Sequence, residues 1–152
     1  MRDYLISMET LAILPIDSKK SMIYEKNNSF IINRNPNSII NRNCILHGSS
    51  ITGRLKATQV LTGYTYKAPI LISEKDSLIF FPTSSPRLKS VAWINLANID
   101  KCYYSIQKNI TTIKFNTGKV IDFDVSISVM NNQILRATRL EAQIRKNIPL
   151  NQ

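Results

Sequence analysis

Short apolar runs separated by turn-forming residues dominate the chain and predict β-strands. The predicted strands cover residues 11–16, 21–26, 29–33, 42–47, 68–73, 77–82, 91–95, 101–107, 111–115 and 120–125. The asparagine-rich segment Asn33–Asn43, "NRNPNSIINRN", interrupts this series around Pro36 and predicts a turn-rich connection. The tripeptide "NTG" at 116–118 is typical of a hairpin turn.

Helical spacing replaces the strand pattern in the middle of the chain. Between Ser50 and Leu61, apolar or threonine side chains recur every three to four positions, at Ile51, Leu55, Thr58 and Leu61. Ser49 or Ser50 provides the N-cap, and Gly63 provides the stop. We therefore expect "GSSITGRLKATQVLTG" to be a loop that opens into a short helix.

A second helix is predicted near the C-terminus, over residues 126–148, and Pro149 ends it. One face carries the apolar residues Ile127, Met130, Ile134, Ala137 and Ile144. The other face carries Asn132, Arg136, Arg139, Gln143 and Lys146. This basic face is either solvated around a core-packed helix, or it meets DNA or a second subunit. We expect an α+β fold: an antiparallel, β-rich single domain, residues 1–152, with a short internal helix and a C-terminal helix.

Composition fits one folded domain with a basic surface. The chain has 152 residues, 43% of them hydrophobic, and a net charge of +10 from 20 Lys+Arg and 10 Asp+Glu. No apolar run approaches a membrane span, and the N-terminus lacks the pattern of a signal peptide, so we expect a cytoplasmic protein. Between Glu25 and Glu74 every charged residue is basic: Lys26, Arg34, Arg42, Arg54, Lys56 and Lys67. This distribution favours an anionic partner; a basic surface that serves only solubility is the alternative.

The sequence lacks the parts that common enzymes and metal sites need. His47 is the one histidine, and the two cysteines, Cys44 and Cys102, are far apart, which argues against a zinc site. We expect two reduced thiols, with a disulfide between them as the alternative. Asp122 and Asp124 share a strand face, which suits either a metal ion or a solvated surface. "GSSITG" matches neither a nucleophile elbow nor a phosphate-binding P-loop, so we expect neither an enzyme nor a cofactor.

The segment "HGSSITGRLKAT", residues 47–58, has the residues of a phosphate clamp. A helix N-terminus offers free N–H groups, and small or cationic side chains there suit an anion. The residues concerned are Gly48, Ser49, Ser50, Arg54 and Lys56. Serines that only cap the helix would explain half of this pattern. Gly53 in the first turn lowers helix stability by about 1 kcal/mol relative to alanine. A glycine kept at this cost indicates that another group approaches the backbone closely here.

A second basic element, Phe81–Trp93, carries Arg87 and Lys89 in a Ser/Thr-rich loop stiffened by two prolines. Arginine on such an arm suits a narrow A·T-rich minor groove. An ordinary hairpin connection is the alternative.

Two segments resemble the ComK family of bacterial competence transcription factors. They are "CILHGSSITGRLKATQVLTGYTYKAPILIS" and "LIFFPTSSPRLKSVAWIN". The matching positions are Cys44, Gly48, Ser49, Ser50, Gly53, Arg54, Lys67, Pro69, Ile70, Phe81, Pro82, Thr83, Ser85, Trp93 and Ile94. The flanking "AILPID" and "FNTGKVIDFDVSIS" fit more loosely.

The resemblance implies a DNA-binding activator of genes for DNA uptake. It implies binding to paired A·T-rich boxes, largely through the minor groove, by a homodimer or a pair of dimers associated with the nucleoid. We expect Gly48, Ser49, Ser50, Arg54 and Lys56 to hold phosphates or the groove edge, with Lys67, Arg87 and Lys89 extending the surface. Arg54→Ala should weaken binding to all DNA and lower the salt slope by roughly one.

The resemblance also implies control by an adaptor that delivers family members to a Clp protease. Family members usually continue well past the helix matched by "NNQILRATRLEAQIRK", and that tail helps the adaptor recognise them. This sequence stops at Gln152, so adaptor control has less support here. The alternative function is therefore a short paralogue that acts by protein contact, for instance by forming heterodimers with a full-length regulator.

Overall fold

A computed structural model describes residues 3–84 and 91–147 of the chain. The strands are β1 (Thr10–Asp17), β2 (Lys20–Glu25), β3 (Ser29–Ile32), β4 (Ile70–Ser73), β5 (Leu78–Pro82), β6 (Trp93–Asn95), β7 (Ile99–Ser105), β8 (Ile110–Phe115) and β9 (Val120–Phe123). The helices are α1 (Pro36–Leu46), α2 (Ile51–Thr62) and α3 (Ile127–Lys146), with a short 3-10 helix at Leu96–Asn98. The predicted antiparallel α+β fold, with an internal and a C-terminal helix, is confirmed; α1 is an addition to it.

Two antiparallel sheets make up the β structure. The larger has the strand order β3-β2-β1-β6-β5-β4, and the smaller has the order β7-β8-β9. Neighbouring residues of the central strands point to opposite faces, as the pleat requires: Phe80 and Trp93 pack in one core cluster, Phe81 and Ile94 in the other. Both faces are therefore covered, and this is why the central strands read as continuous apolar runs instead of alternating ones.

The two core clusters use different helices. One cluster fills the space between the two sheets and α3, which contributes Met130, Ala137 and Leu140. The other covers the opposite face of the larger sheet with α1, through Ile39, Ile40 and Cys44. Helix α2, which carries several candidate site residues, packs Leu61 against the first cluster and Ile51 and Leu55 against the second.

Helix α1 overturns two predictions: the turn-rich connection at Asn33–Asn43 and the strand at residues 42–47. Asn35 caps the helix by accepting a hydrogen bond from the Ser38 N–H at 2.8 Å, and Pro36 occupies the first turn. These are favourable starting residues for a helix. Burial of one face then outweighs the low helix propensity of the asparagines.

Asn43 shows how this helix accommodates a polar residue in the core. Its side chain is 1% exposed. The Oδ1 atom accepts from the Ile6 N–H at 2.9 Å, and Nδ2 donates to the carbonyls of Tyr4 and Ile39, each at 2.9 Å. Asn43 therefore ties the N-terminal segment to α1.

Helix α2 confirms the predicted helix within one residue at each end. Ser50 is the N-cap, and Gly63 ends the helix in the left-handed conformation with φ 82°. Thr58, the buried residue of α2, donates to the Pro69 carbonyl at 2.6 Å and so fixes the helix to the chain that enters β4.

Helix α3 packs four of the five predicted apolar residues against the core: Met130 and Ala137 are fully buried, and Ile134 and Ile144 are partly buried. Gln133, which the sequence placed on neither face, is 2% exposed. Pro149, expected to end this helix, lies outside the described residues.

Candidate nucleic-acid interface

A four-residue turn, His47–Ser50, connects α1 to α2 and carries the first group of predicted site residues. Gly48 has φ +83°, a conformation that strains other residues, and its N–H donates to the Ile45 carbonyl at 2.9 Å. The Ser49 N–H donates to the Cys44 carbonyl at 2.9 Å. Gly48 therefore reverses the chain and brings both serines to the N-terminus of α2.

Most of the backbone donors at this N-terminus are used within the protein. The Ile51 N–H donates to Asn41 Oδ1 at 2.9 Å, and the Gly53 N–H donates to Ser50 Oγ at 3.0 Å. The Ser50 hydroxyl therefore acts as a helix cap, as in the alternative considered from the sequence. An anion at this end would be held mainly by side chains.

Gly53 makes room for the two serine hydroxyls. A Cβ atom at this position would lie 2.8 Å from Ser49 Oγ and 3.3 Å from Ser50 Oγ. The close approach that the sequence indicated is therefore an approach to the protein's own serines.

Arg54 lies along α2 with its guanidinium turned toward the β4–β5 turn. Nη1 is 3.4 Å from Glu74 Oε1, and the side chains are 11% and 78% exposed, respectively. Among the described residues, no acceptor bonds the buried Nε of Arg54. Because Glu74 is so exposed, the ion pair contributes only about 0–1 kcal/mol to stability.

A cleft of about 420 Å³ opens beside this ion pair and carries charges of both signs. Its walls are formed by His47, Arg54, Ser73, Glu74, Lys75 and Asp76. The carboxylates of Glu74 and Asp76 lower the attraction of this end of α2 for an anion.

The outer face of α2 carries small or polar side chains, one apolar side chain (Val60) and one cation. The exposed residues are Thr52, Gly53, Lys56, Ala57, Gln59 and Val60. Helix α2 contains no acidic residue, so the charge of Lys56 has no neutralising partner on its own helix.

Lys67 lies beyond the opposite end of α2 from Gly48, Ser49 and Ser50. A helix of 12 residues is about 18 Å long, so the structure does not gather the predicted residues into one pocket. Lys67 has φ +50°, and its Nζ lies 5.5 Å from the centre of the Tyr66 ring. The predicted residues are spread along α2 and its two ends.

Arg87 and Lys89 lie outside the described residues, so their predicted contribution stays a prediction. The chain on either side is fixed by a pair of hydrogen bonds. The Thr83 N–H donates to the Ala92 carbonyl at 2.9 Å, and the Ala92 N–H donates to Thr83 Oγ1 at 3.1 Å.

Sequence reasoning missed the contacts of Arg136, which it placed on the polar face of α3. The guanidinium stacks on the Tyr64 ring at 4.4 Å, and Nη2 donates to the Tyr66 carbonyl at 2.6 Å. Desolvation lowers the pKa of Arg136. In "GYTYK", two tyrosines lie two positions apart and Lys67 follows directly; this pattern was the available signal for the cluster.

Both thiols are free, with Cys44 buried and Cys102 half-buried. Burial raises the pKa of the Cys44 thiol to about 11, although the nearby Arg54 charge opposes this shift. Asp122, considered above as a metal ligand, accepts from Lys108 Nζ at 3.3 Å and from Thr112 Oγ1 at 2.8 Å. Within the described ranges, no three Cys, His, Asp or Glu side chains are grouped as a metal site would require.

Comparison with known proteins identifies the family. The model of the family described as ComK protein matches residues 1–149. The chain belongs to the ComK family. The competence transcription factor of Bacillus subtilis (strain 168) is 30% identical over 151 residues, which cover 97% of this chain and 78% of that protein. No solved structure matches the chain.

The resemblance to the ComK family drawn from the two central motifs is thus confirmed over almost the whole chain. ComK membership supports a transcriptional regulator of competence, and the family is one of transcription factors and not of enzymes. In the parts of the chain that the structure describes, no helix combines the length and the apolar character needed to span a bilayer.

Proposed function

We propose that residues 1–152 form a single DNA-binding domain of a regulator that activates competence genes for DNA uptake. The regulator acts in the cytoplasm, at the nucleoid, as a homodimer or larger assembly. It binds paired A·T-rich boxes, largely through the minor groove. Family membership supports the regulatory role, and the net charge of +10 supports a polyanionic partner.

The observation that carries the DNA-binding proposal is the exposed face of α2, a helix that contains no acidic residue. Lys56 is exposed one turn after Thr52 and Gly53, whose small size allows the backbone of a duplex to approach closely. Gly48 and Ser49 extend this surface at one end and Lys67 at the other. Ser50 contributes as the helix cap, and Arg54 contributes once a phosphate replaces Glu74.

The test is a binding titration on three duplexes of equal length at several salt concentrations. One duplex carries paired A·T boxes, one carries inosine·cytosine pairs in those boxes, and one carries G·C pairs. An inosine·cytosine pair lacks the guanine amino group, so it resembles A·T in the minor groove and G·C in the major groove. A minor-groove reader therefore treats the first two duplexes alike.

We expect the A·T and inosine·cytosine duplexes to bind about a hundredfold or more tighter than the G·C duplex. Equal, steeply salt-dependent binding to all three would contradict sequence preference and leave only nonspecific attraction. A preference for A·T over inosine·cytosine would instead assign base reading to the major groove. An absence of binding by the chain alone would favour the short-paralogue alternative, which needs a partner.

Two lysine variants connect this binding to α2. Lys56→Ala should lower the salt slope by about 0.9, because one phosphate contact is lost. Lys101→Ala removes the same charge from an exposed position on β7, in the other sheet, and should leave the slope unchanged. Equal effects of the two variants would remove Lys56 from the interface.

A further inference from the structure

The segment between α2 and β4, residues 63–69, has an unusual backbone at a cationic residue. Gly63 ends α2 with φ +82°, a conformation that suits glycine. Four residues later Lys67 has φ +50°, a region that lysine rarely adopts. Strain of this kind persists only where the surrounding structure holds it, and it is concentrated at functional sites.

Two side chains of α3 hold this segment by its carbonyl groups. Gln133, 2% exposed, donates through Nε2 to the Lys67 carbonyl at 2.8 Å. Arg136 donates to the Tyr66 carbonyl at 2.6 Å and, more weakly, to the Lys67 carbonyl at 3.4 Å. Because α3 takes up both carbonyls, the two peptide units have a fixed orientation.

Gln133 and Arg136 also hold one another. Arg136 Nη1 donates to Gln133 Oε1 at 2.9 Å, while the guanidinium carbon of Arg136 lies 4.4 Å from the centre of the Tyr64 ring. An arginine that bonds two carbonyls and an amide and also stacks on a ring is fixed in place.

Gln133 and Arg136 together position an aromatic–cation pair, Tyr66 and Lys67, on the surface. Tyr66 is 62% exposed, and the Lys67 ammonium lies 5.5 Å from the centre of its ring. A lysine binds phosphate as a point charge, and a tyrosine ring packs against a sugar or base. This pair therefore has the chemistry to contact one strand of a nucleic acid.

We propose that Tyr66 and Lys67 contact the DNA backbone, and that Gln133 and Arg136 are positioning residues that keep this pair in its strained, binding-competent conformation. The inference rests on the DNA-binding function proposed above. It adds Tyr66 to the contact that Lys67 makes at the far end of α2, and it gives the C-terminal helix a role in binding without direct contact.

The decisive variant is Lys67→Asn, measured for both stability and binding to the A·T duplex. Asparagine adopts φ > 0 more readily than lysine, so the melting temperature should be equal to or above that of the parent protein. The affinity should fall about fivefold near 0.15 M salt, with a slope lower by about 0.9, because one phosphate contact is lost. Affinity within twofold of the parent, with an unchanged slope, would overturn the proposal.

The positioning role is tested by Arg136→Ala, with Arg139→Ala as its matched control. Arg139 is exposed one turn further along α3. The control therefore removes the same charge without disturbing the hydrogen bonds from Gln133 and Arg136 to the carbonyls of Tyr66 and Lys67. In Arg136→Ala, Lys67 can still reach its phosphate but is no longer held in the binding conformation, so binding should weaken about fivefold or more with an unchanged salt slope. Arg136→Lys should not restore the affinity, because a lysine ammonium lacks the planar, multiply bonding guanidinium group. Equal effects of Arg136→Ala and Arg139→Ala would overturn the positioning role.

These outcomes separate the inference from the function on which it rests. A parent protein that does not prefer the A·T duplex contradicts the proposed function itself. A parent protein that binds specifically, together with an unaffected Lys67→Asn variant, contradicts only the inference. Lys67 lies outside the core clusters, so its variant remains informative even if Arg136→Ala does not fold.

Discussion

The guanidinium of Arg54 and the carboxylate of Glu74 form an ion pair, with Nη1 and Oε1 3.4 Å apart, that links the first turns of α2 to the β4–β5 turn. Glu74 is the first acidic residue after the long acid-free stretch. Its carboxylate bonds the guanidinium group that the proposed function assigns to a phosphate. In that proposal, Glu74 competes with DNA for Arg54.

Neutralising this competitor should strengthen DNA binding. We expect Glu74→Gln to bind the A·T duplex about three to ten times tighter, with a steeper salt slope, because Arg54 becomes available for one more phosphate. A salt titration of duplex binding measures both quantities.

Asp76→Asn is the matched control for this prediction. Asp76 lines the same cleft, so the variant removes an equal charge but leaves the Arg54–Glu74 pair intact. We expect a smaller gain in affinity. Equal gains would mean that net charge alone, and not release of Arg54, determines the effect.

Gly53 and Ser49 should be energetically coupled. Alanine at position 53 gains about 1 kcal/mol of helix propensity, but its Cβ would lie 2.8 Å from Ser49 Oγ. We expect Gly53→Ala to stabilise the protein less in the parent than in a Ser49→Ala background. Urea unfolding of the four proteins should give a coupling of about 0.5–1 kcal/mol, whereas additive effects would mean that Ser49 moves aside without cost.

Asn43 should contribute strongly to stability. Asn43→Ala leaves the buried Ile6 N–H without its acceptor, and an unsatisfied buried group costs about 1–3 kcal/mol. We expect the free energy of unfolding to fall by about 2–3 kcal/mol. Asn132→Ala, at an exposed position of α3, should stay within about 0.5 kcal/mol of the parent; similar losses in both variants would refute a special role for Asn43.

The buried thiol of Cys44 should make the fold sensitive to alkaline pH. Burial raises its pKa to about 11, so the thiol ionises more readily in the unfolded chain, where the pKa is about 8.5. Its contribution to stability is therefore complete below about pH 8.5 and is lost as the pH rises through about 11. The two pKa values differ by about 2.5, which at about 1.4 kcal/mol per pKa unit corresponds to a loss of roughly 3.5 kcal/mol.

Urea unfolding from about pH 8 to about pH 11 tests this prediction. The parent protein should lose more stability over that range than Cys44→Ala. Burial also raises the pKa of Tyr4, but this contribution is present in both proteins and cancels in the comparison. Parallel pH profiles would assign the whole alkaline loss to groups other than Cys44.

The strands and α2 were predictable from sequence because local pattern and tertiary burial agree there. In α2, Ser50 caps the helix and Gly63 ends it, as their residue types indicate. In α1 the local sequence pattern and the tertiary burial disagree. Asparagines favour turns in isolated sequence, but Asn35 caps the helix, Asn41 accepts from the Ile51 N–H, and Asn43 bonds the N-terminal segment. Their partners are up to 39 positions away, so no local window contains this information.

The candidate site was predictable in its residue types and not in its arrangement. The exposed position of Lys56 follows from helical spacing. The ion pair of Arg54 with Glu74 spans 20 positions, and the bond from Arg136 to the Tyr66 carbonyl spans 70. Such pairings depend on how α2 and α3 pack on the larger sheet, which residue spacing does not specify.

The side-chain amide of Gln133 donates to two carbonyls, those of Lys67 at 2.8 Å and Pro82 at 2.7 Å. These carbonyls lie at the same end of the antiparallel β4–β5 hairpin, so the amide closes that end. A nascent chain that has left the ribosome only as far as β9 already contains both segments but lacks this closure. The surface formed by Tyr66 and Lys67 is therefore completed only when α3 has been synthesised and has docked, and the DNA contact proposed for it must wait for α3 to leave the ribosome.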